Sequence, residues 1–262
     1  SYMAEARQYV DGENNGIFYS NPFDGDKNAP QIYFQPQIFI LGMMLNFAGL
    51  NPSVLFLLFG LLFGWLFMIA AISLYSQFFE LKSKINAFGL VVFIYGGGAL
   101  FFSGLIWMLF KGFYPPNIEI FRYDPGYGWW MLNLGRNLIY PLESYYHFLV
   151  LSAFVLYFKK KHYGVLLLLL ILSWSHPFYG IEFLSVFGAI YLFEFLRYKK
   201  LRSAEKQTYF PFVIILILFC IHVYYYLVFL PSFSSHQSLL NQWKINCSHS
   251  GITLIFSYIF GI

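Results

Sequence analysis

PLESYYHFLVLSAFVLYFKKKHYGVLLLLLILSWSHP, residues 141–177, is two apolar runs with a lysine triplet between them and a proline at each end. Crossing a bilayer takes about 20 apolar residues, so each run approaches a span and the triplet marks the side on which the chain turns back. Ten of the sixteen basic residues fall in three such clusters: Lys82 and Lys84; Lys159, Lys160 and Lys161; and Arg197, Lys199, Lys200, Arg202 and Lys206. Nine of the twelve acids fall in the alternate connections: Glu5, Asp11, Glu13, Asp24, Asp26, Glu119, Asp124, Glu143 and Glu182. Short basic loops stay cytoplasmic, because positive residues beside a membrane helix resist translocation. The expected fold class is therefore an all-α polytopic membrane protein, integral to the plasma membrane, with its large acid-bearing loops extracytoplasmic.

Composition excludes an ordinary soluble domain. Hydrophobic residues make up 59% and charged residues 11%, against about 45–50% and about 25% in soluble proteins. Aromatics reach 23%, many of them near expected helix ends, where amphipathic rings suit the interface. The net charge of +4 does not point to nucleic acid, since the cations flank apolar runs. Anionic lipid heads of the cytoplasmic leaflet account for them better. Cys220 lies mid-run and Cys247 in an outer loop, so no disulfide between them is expected.

About six transmembrane helices are expected, over 52–78, 86–110, 141–158, 163–179, 179–196 and 209–230, with another beginning near 252. They form a transmembrane domain over residues 51–262. A chain that opens on Ser1 and stops at Ile262 inside an apolar run is expected to be a fragment lacking both ends of a longer protein. With the basic clusters inside, the first, third and fifth spans run inward. They open at Asn51-Pro52, Tyr140-Pro141 and His176-Pro177, and proline at the first helical position loses nothing, since that N–H has no partner within the helix. Charge and proline thus agree on topology.

Residues 1–50 form an extracytoplasmic loop with an interfacial helix. The first 36 are polar and carry five acids against two bases, with turn formers in Asn14-Asn15-Gly16, Asn21-Pro22 and Asp24-Gly25-Asp26. After Gln35-Pro36, the stretch Ile38 to Leu50 is too short to cross, and the topology has no room for it. An amphipathic or re-entrant helix at the outer interface is expected there.

Polar groups gather in Arg122 to His147, RYDPGYGWWMLNLGRNLIYPLESYYH. A helix from Pro141 puts Glu143 and His147 on one face as an i,i+4 pair. Its outward N-terminus favours an anion, phosphate above all. Arg136 just before it is a bidentate phosphate donor, with Asn137 and Tyr140 at the same spacing. Glu143 could act as a base or, with His147, hold a divalent metal ion. Equally, Glu143 is a favourable first-turn acid that Arg136 merely pairs with. Ionisable groups at a membrane boundary are costly, which tilts the whole cluster toward function.

His176 occupies the same level at the next inward helix start; it binds substrate or metal beside His147, or caps its own helix. Glu182 needs a partner or a water-filled cavity, and Asp124 reads as a turn former. His222, mid-helix and followed by Tyr224, Tyr225 and Tyr226, reads as a hydrogen-bonded packing histidine, and His162 as a companion of the inner lysines. The loop Ser232 to Gly251, with His236, Trp243, Lys244 and His249, has no discriminating ligand spacing. Gly96-Gly97-Gly98 lies in an apolar helix and serves close packing.

The layout resembles the GT-C superfamily of integral membrane glycosyltransferases, which includes protein mannosyltransferases and bacterial lipid-linked sugar transferases. Tyr2 to Gly12, YMAEARQYVDG, is similar to the stretch after that family's Asp-x-x-x-Tyr motif. Gln35-Pro36 with Ile38 to Leu50 is similar to its proline-led interfacial helix, and residues 51–78 to its second span. The resemblance implies a motif aspartate about four residues before Tyr2, outside this chain, and gives Glu143 the position of the family's second acid. It implies transfer of a sugar from a polyprenyl-phosphate carrier to a glycan, lipid or protein acceptor on the outer face. Glu143 is then the catalytic carboxylate, and Arg136, Asn137, Tyr140, His147 and His176 bind substrate.

Two other classes compete. A transporter or flippase calls for polar groups continuing through the bilayer and for broken helices in two related halves. A non-catalytic membrane assembly subunit predicts that Arg136, Glu143, His147, His176 and the N-terminal loop are scattered rather than gathered.

Overall fold

Four helices begin at a proline. In the computed structural model, which describes residues 2–10, 16–21, 29–95, 110, 140–200 and 209–237, these are α2 (Pro36–Ala48), α3 (Pro52–Tyr75), α5 (Pro141–Phe158) and α7 (Pro177–Lys200). The residue before a proline is driven to extended backbone by its Cδ. Accordingly Gln35, Tyr140 and His176 have φ/ψ of −142°/120°, −105°/109° and −152°/126°. Asn51 adds a side-chain cap, accepting from the Ser53 N–H at 2.9 Å. The remaining described helices are α1 (Tyr2–Arg7), α4 (Lys84–Tyr95), α6 (His162–Ser175) and α8 (Tyr209–Tyr224). A π turn (Tyr225–Phe229) and a 3-10 turn (Leu230–Ser232) prolong α8. There is no strand among the described residues, only an isolated antiparallel bridge between Tyr19 and Tyr33.

Ring contacts fix the helix directions. From one end to the other, α3 meets α5 at Phe59–Tyr145 and Phe63–Phe148, and Phe78 in the turn after α3 meets Phe158, so the two run parallel. Helices α5 and α7 also run parallel, through Tyr146–Tyr179, Phe154–Phe187 and Tyr157–Tyr191. Helix α6 returns between them, from Gly164 beside Leu156 to Ser175 beside Tyr145. Helix α8 returns along α7, from Tyr209 near Phe195 to His222 near Pro177. The three proline-led starts of α3, α5 and α7 therefore share one end of the bundle, where α1 and α2 pack. The turn after α3, Lys159–Lys161 and Arg197 lie at the other end. Close approach at the proline-led end needs Gly60, where a Cβ would come within 2.7 Å of Pro141 Cγ.

Large apolar side chains point outward as well as inward: Leu61, Trp65, Phe88, Phe193 and Leu227 are each more than half exposed. A soluble protein does not present so continuous an apolar surface; a lipid-facing bundle does. Among the described residues, three helices are long and apolar enough to cross a membrane: Pro52–Tyr75, Pro177–Arg197 and Tyr209–Ser232. Helix α5 has 18 residues, but Glu143, Ser144 and His147 lower the apolarity of its first turns. Helix α6 has only 14, because Pro177 ends it at Ser175 rather than near 179. The second expected span is described from Lys84 to Tyr95, and the rest of it, with the run beginning near 252, lies outside the described residues.

Helix α2 is 13 residues long, as expected too short to cross. Its character differs from the amphipathic expectation. Ile38, Leu41 and Leu45 are buried on one face, while Ile40, Met44 and Phe47 are exposed on the other, so it is apolar on both sides.

Candidate functional site

Helices α5 and α7 bring their first turns side by side at the proline-led end. Glu143 occupies the third helical position of α5, where the helix dipole favours an acid. Tyr179, at the third position of α7, donates its hydroxyl to Glu143 Oε2 at 3.0 Å. His147, one turn on, donates from Nδ1 to the Glu143 carbonyl oxygen at 2.9 Å. The carbonyl can only accept, so Nδ1 carries the proton and the ring can meet a metal only through Nε2. Nδ1 and Glu143 Oε2 lie 3.9 Å apart, the expected i,i+4 pair but beyond hydrogen-bonding distance.

His176 caps α7: its Nδ1 accepts from the Tyr179 N–H at 3.3 Å. Burial holds this imidazole below its ordinary value, opposed by the nearby Glu143 charge, which keeps it a neutral acceptor. The Tyr146 ring lies between, 4.9 Å from His176 and 5.4 Å from Tyr179, and Tyr179 lies 5.4 Å from His147. Glu143, His147 and His176 thus meet around two tyrosines that the sequence reading did not single out. Tyr140 is the residue before Pro141 and is 42% exposed at the edge. Arg136 and Asn137 lie outside the described residues, as do Arg122, Asp124, Gly96–Gly98, Trp243, Lys244, Cys247 and His249. Glu182 is exposed on α7 and outside the cluster. His236 hydrogen-bonds Tyr33 through Nδ1 at 3.0 Å, tying the segment after α8 to the N-terminal region.

The N-terminal segment closes the site from the other side. Gln37, fully buried in the first turn of α2, donates from Nε2 to the Tyr146 hydroxyl (3.1 Å) and to the Ser175 carbonyl (3.0 Å). It thereby caps the end of α6, and its Oε1 has no hydrogen-bond partner among the described residues. Glu5 on α1 is 9% exposed, and burial pushes its carboxyl up to about 7. Tyr2 lies within electrostatic reach of both Glu5 and Glu143; burial and then these two charges raise its phenol. Only the isolation of Gln37 in an apolar helix hinted at its role, and nothing in the sequence around Glu5 marks it as buried.

Among the described residues, no group of three or more His, Cys, Asp or Glu could hold a metal. The cluster has the makings of acid–base chemistry: a carboxylate held by a tyrosine, two histidines and helix N-termini suited to an anion, with a second, buried carboxyl, Glu5, on the neighbouring α1. No known protein family, curated protein or solved structure matches the chain.

Proposed function

We propose that this chain is a plasma-membrane glycosyltransferase that moves a sugar from a polyprenyl-phosphate carrier to an acceptor on the outer face. In this reading six helices span the bilayer and the proline-led end lies outside. The observation that carries it is the meeting of Glu143, His147, His176 and the N-terminal segment at one end of the bundle. Glu143, held by Tyr179, takes the proton of the attacking acceptor hydroxyl. Arg136, Asn137 and the N-termini of α5 and α7 stabilise the departing lipid phosphate. Transport would call for polar groups along the bundle, whereas the core beyond the cluster, built from Ala153, Val165, Leu169, Leu184 and Phe187, is apolar.

The test is Glu143→Gln in the full-length protein, reconstituted with labelled undecaprenyl-phosphate hexoses. Transfer is expected to fall at least about 100-fold, the lower range for losing a general base, with unchanged expression and melting. Normal turnover in this variant would reject the assignment.

A further inference from the structure

Glu5 takes no part in the chemistry assigned so far. We propose that Glu5 is the general acid of the same transfer, protonating the phosphate oxygen that leaves the sugar while Glu143 receives the proton of the attacking hydroxyl. This rests on the glycosyl-transfer reading above and assigns that site its second catalytic residue.

Three observations carry it. First, the fold packs α1, which carries Glu5, against the site: Ala6 of α1 shares one core with Ile38 and Leu41 of α2, Leu55 of α3 and Tyr146 of α5. Tyr2, on the same short helix, feels the charges of both Glu5 and Glu143. Second, the two carboxyls have opposite surroundings. The Glu143 side chain is 34% exposed and accepts a hydrogen bond from Tyr179. Glu5 is nine-tenths buried. Burial makes a carboxyl less costly with its proton on. Pairs of carboxyls whose environments drive them apart are how acid and base roles divide. Third, burial outweighs the one charge that favours ionised Glu5, the N-terminal amine, and the phenols of Tyr2, Tyr9 and Tyr19 are each raised further by its ionisation. The unpartnered Oε1 of Gln37, beside Tyr146, is a further buried acceptor suited to a substrate hydroxyl.

The step balances. The acceptor O–H bond breaks and its proton passes to Glu143, while the oxygen's electron pair forms the bond to the sugar C1. The C1–O bond to phosphate breaks, its pair stays on the phosphate oxygen, and that oxygen takes the Glu5 proton. Glu143 has gained one proton and Glu5 has lost one, so exchange with water resets both.

Two readouts test it on the full-length protein in vesicles. By infrared difference spectroscopy, a protonated-carboxyl band is expected to titrate with a midpoint of about 7, to vanish in Glu5→Gln and to persist in Glu143→Gln. In turnover of labelled undecaprenyl-phosphate hexoses, the rate is expected to fall as pH rises through that midpoint. Glu5→Gln, which mimics the protonated form and should fold, is expected to be at least about 100-fold slower and to lose that limb. A band that survives in Glu5→Gln, or a basic limb unchanged in it, overturns the proposal. If the band behaves as expected but the unsubstituted protein transfers nothing, the transfer reading fails and the acid role with it, while the buried protonated carboxyl stands.

Discussion

The Tyr179 hydroxyl reaches Glu143 and its N–H reaches His176, so one residue holds two members of the cluster in place. Tyr179→Phe keeps the ring and the cap but removes the hydrogen bond to Glu143. It should slow transfer about tenfold while changing stability by about 1 kcal/mol or less, a split that kinetics and melting curves together would reveal. His176 and Glu5 give stability opposite pH dependences. His176 is held down by burial, so its value in the unfolded chain, about 6.5, lies above the folded one. Its contribution is present above that pH and lost as pH falls through the folded value. His176→Asn, which keeps an N-cap acceptor without the titration, should flatten the acid side of the melting profile. Glu5 is pushed up from 4.5 to about 7; its contribution is present below about 4.5 and lost as pH rises through 7. Glu5→Gln should therefore stabilise the protein by on the order of 3 kcal/mol at pH 8, with the gap closing toward pH 4.5 in detergent melts. At this scale Glu143 and His147 were legible from helix spacing, and His176 from its place before the proline that starts the next inward helix. Glu5 and Gln37 were not: an acid in a polar loop reads as solvated until tertiary packing buries it.

Proline placement made the element boundaries legible, and Pro177 also explains what the sequence could not supply. Lacking an N–H, it leaves the Ser173 carbonyl in the last turn of α6 without its helical donor. His222 of α8 fills that role, its Nδ1 donating to Ser173 O at 3.0 Å while its Nε2 lies 2.9 Å from Pro177 O. The packing-histidine reading of His222 named the residue type but not the partner, since the orphaned carbonyl belongs to another helix. The ring fits only because residue 180 is glycine: a Cβ there would collide with His222 Cε1 and lie 2.9 Å from Ser173 Cα. Gly180→Ala should cost about 1–3 kcal/mol by overpacking. His222→Leu should cost a similar amount, about 1–3 kcal/mol, by orphaning the carbonyl. The double change His222→Leu with Pro177→Ala should cost less than the sum of its parts, because the restored residue 177 N–H can serve Ser173 again. A strictly additive double-mutant cycle would show that the carbonyl is not what His222 secures.

Taken as a whole, the bundle has two unlike ends, and the proposed chemistry depends on which faces the cytoplasm. Helices α5 and α7 start side by side at Glu143, α3 starts about two turns beyond them at the same end, and the basic turn Lys159–Lys161 lies at the far end, an arrangement consistent with the charge pattern along the chain. Moving a lysine cluster across the bilayer is disfavoured, because each charge at the core costs about 2.5–3.5 kcal/mol on insertion scales, so the triplet should be cytoplasmic. Single-cysteine labelling in intact cells decides the matter, after Cys220 and Cys247 are replaced by serine. Ser53→Cys, at the capped start of α3, should react with a membrane-impermeant maleimide added outside. Lys160→Cys, in the turn between α5 and α6, should react only after the cells are opened. The reverse pattern would turn the cluster toward the cytoplasm and remove the outer-face reaction, leaving the helix packing as described. Equal labelling of both positions from outside would mean that α3 and α5 do not cross the membrane at all, against the outward-facing Leu61 and Trp65 of α3.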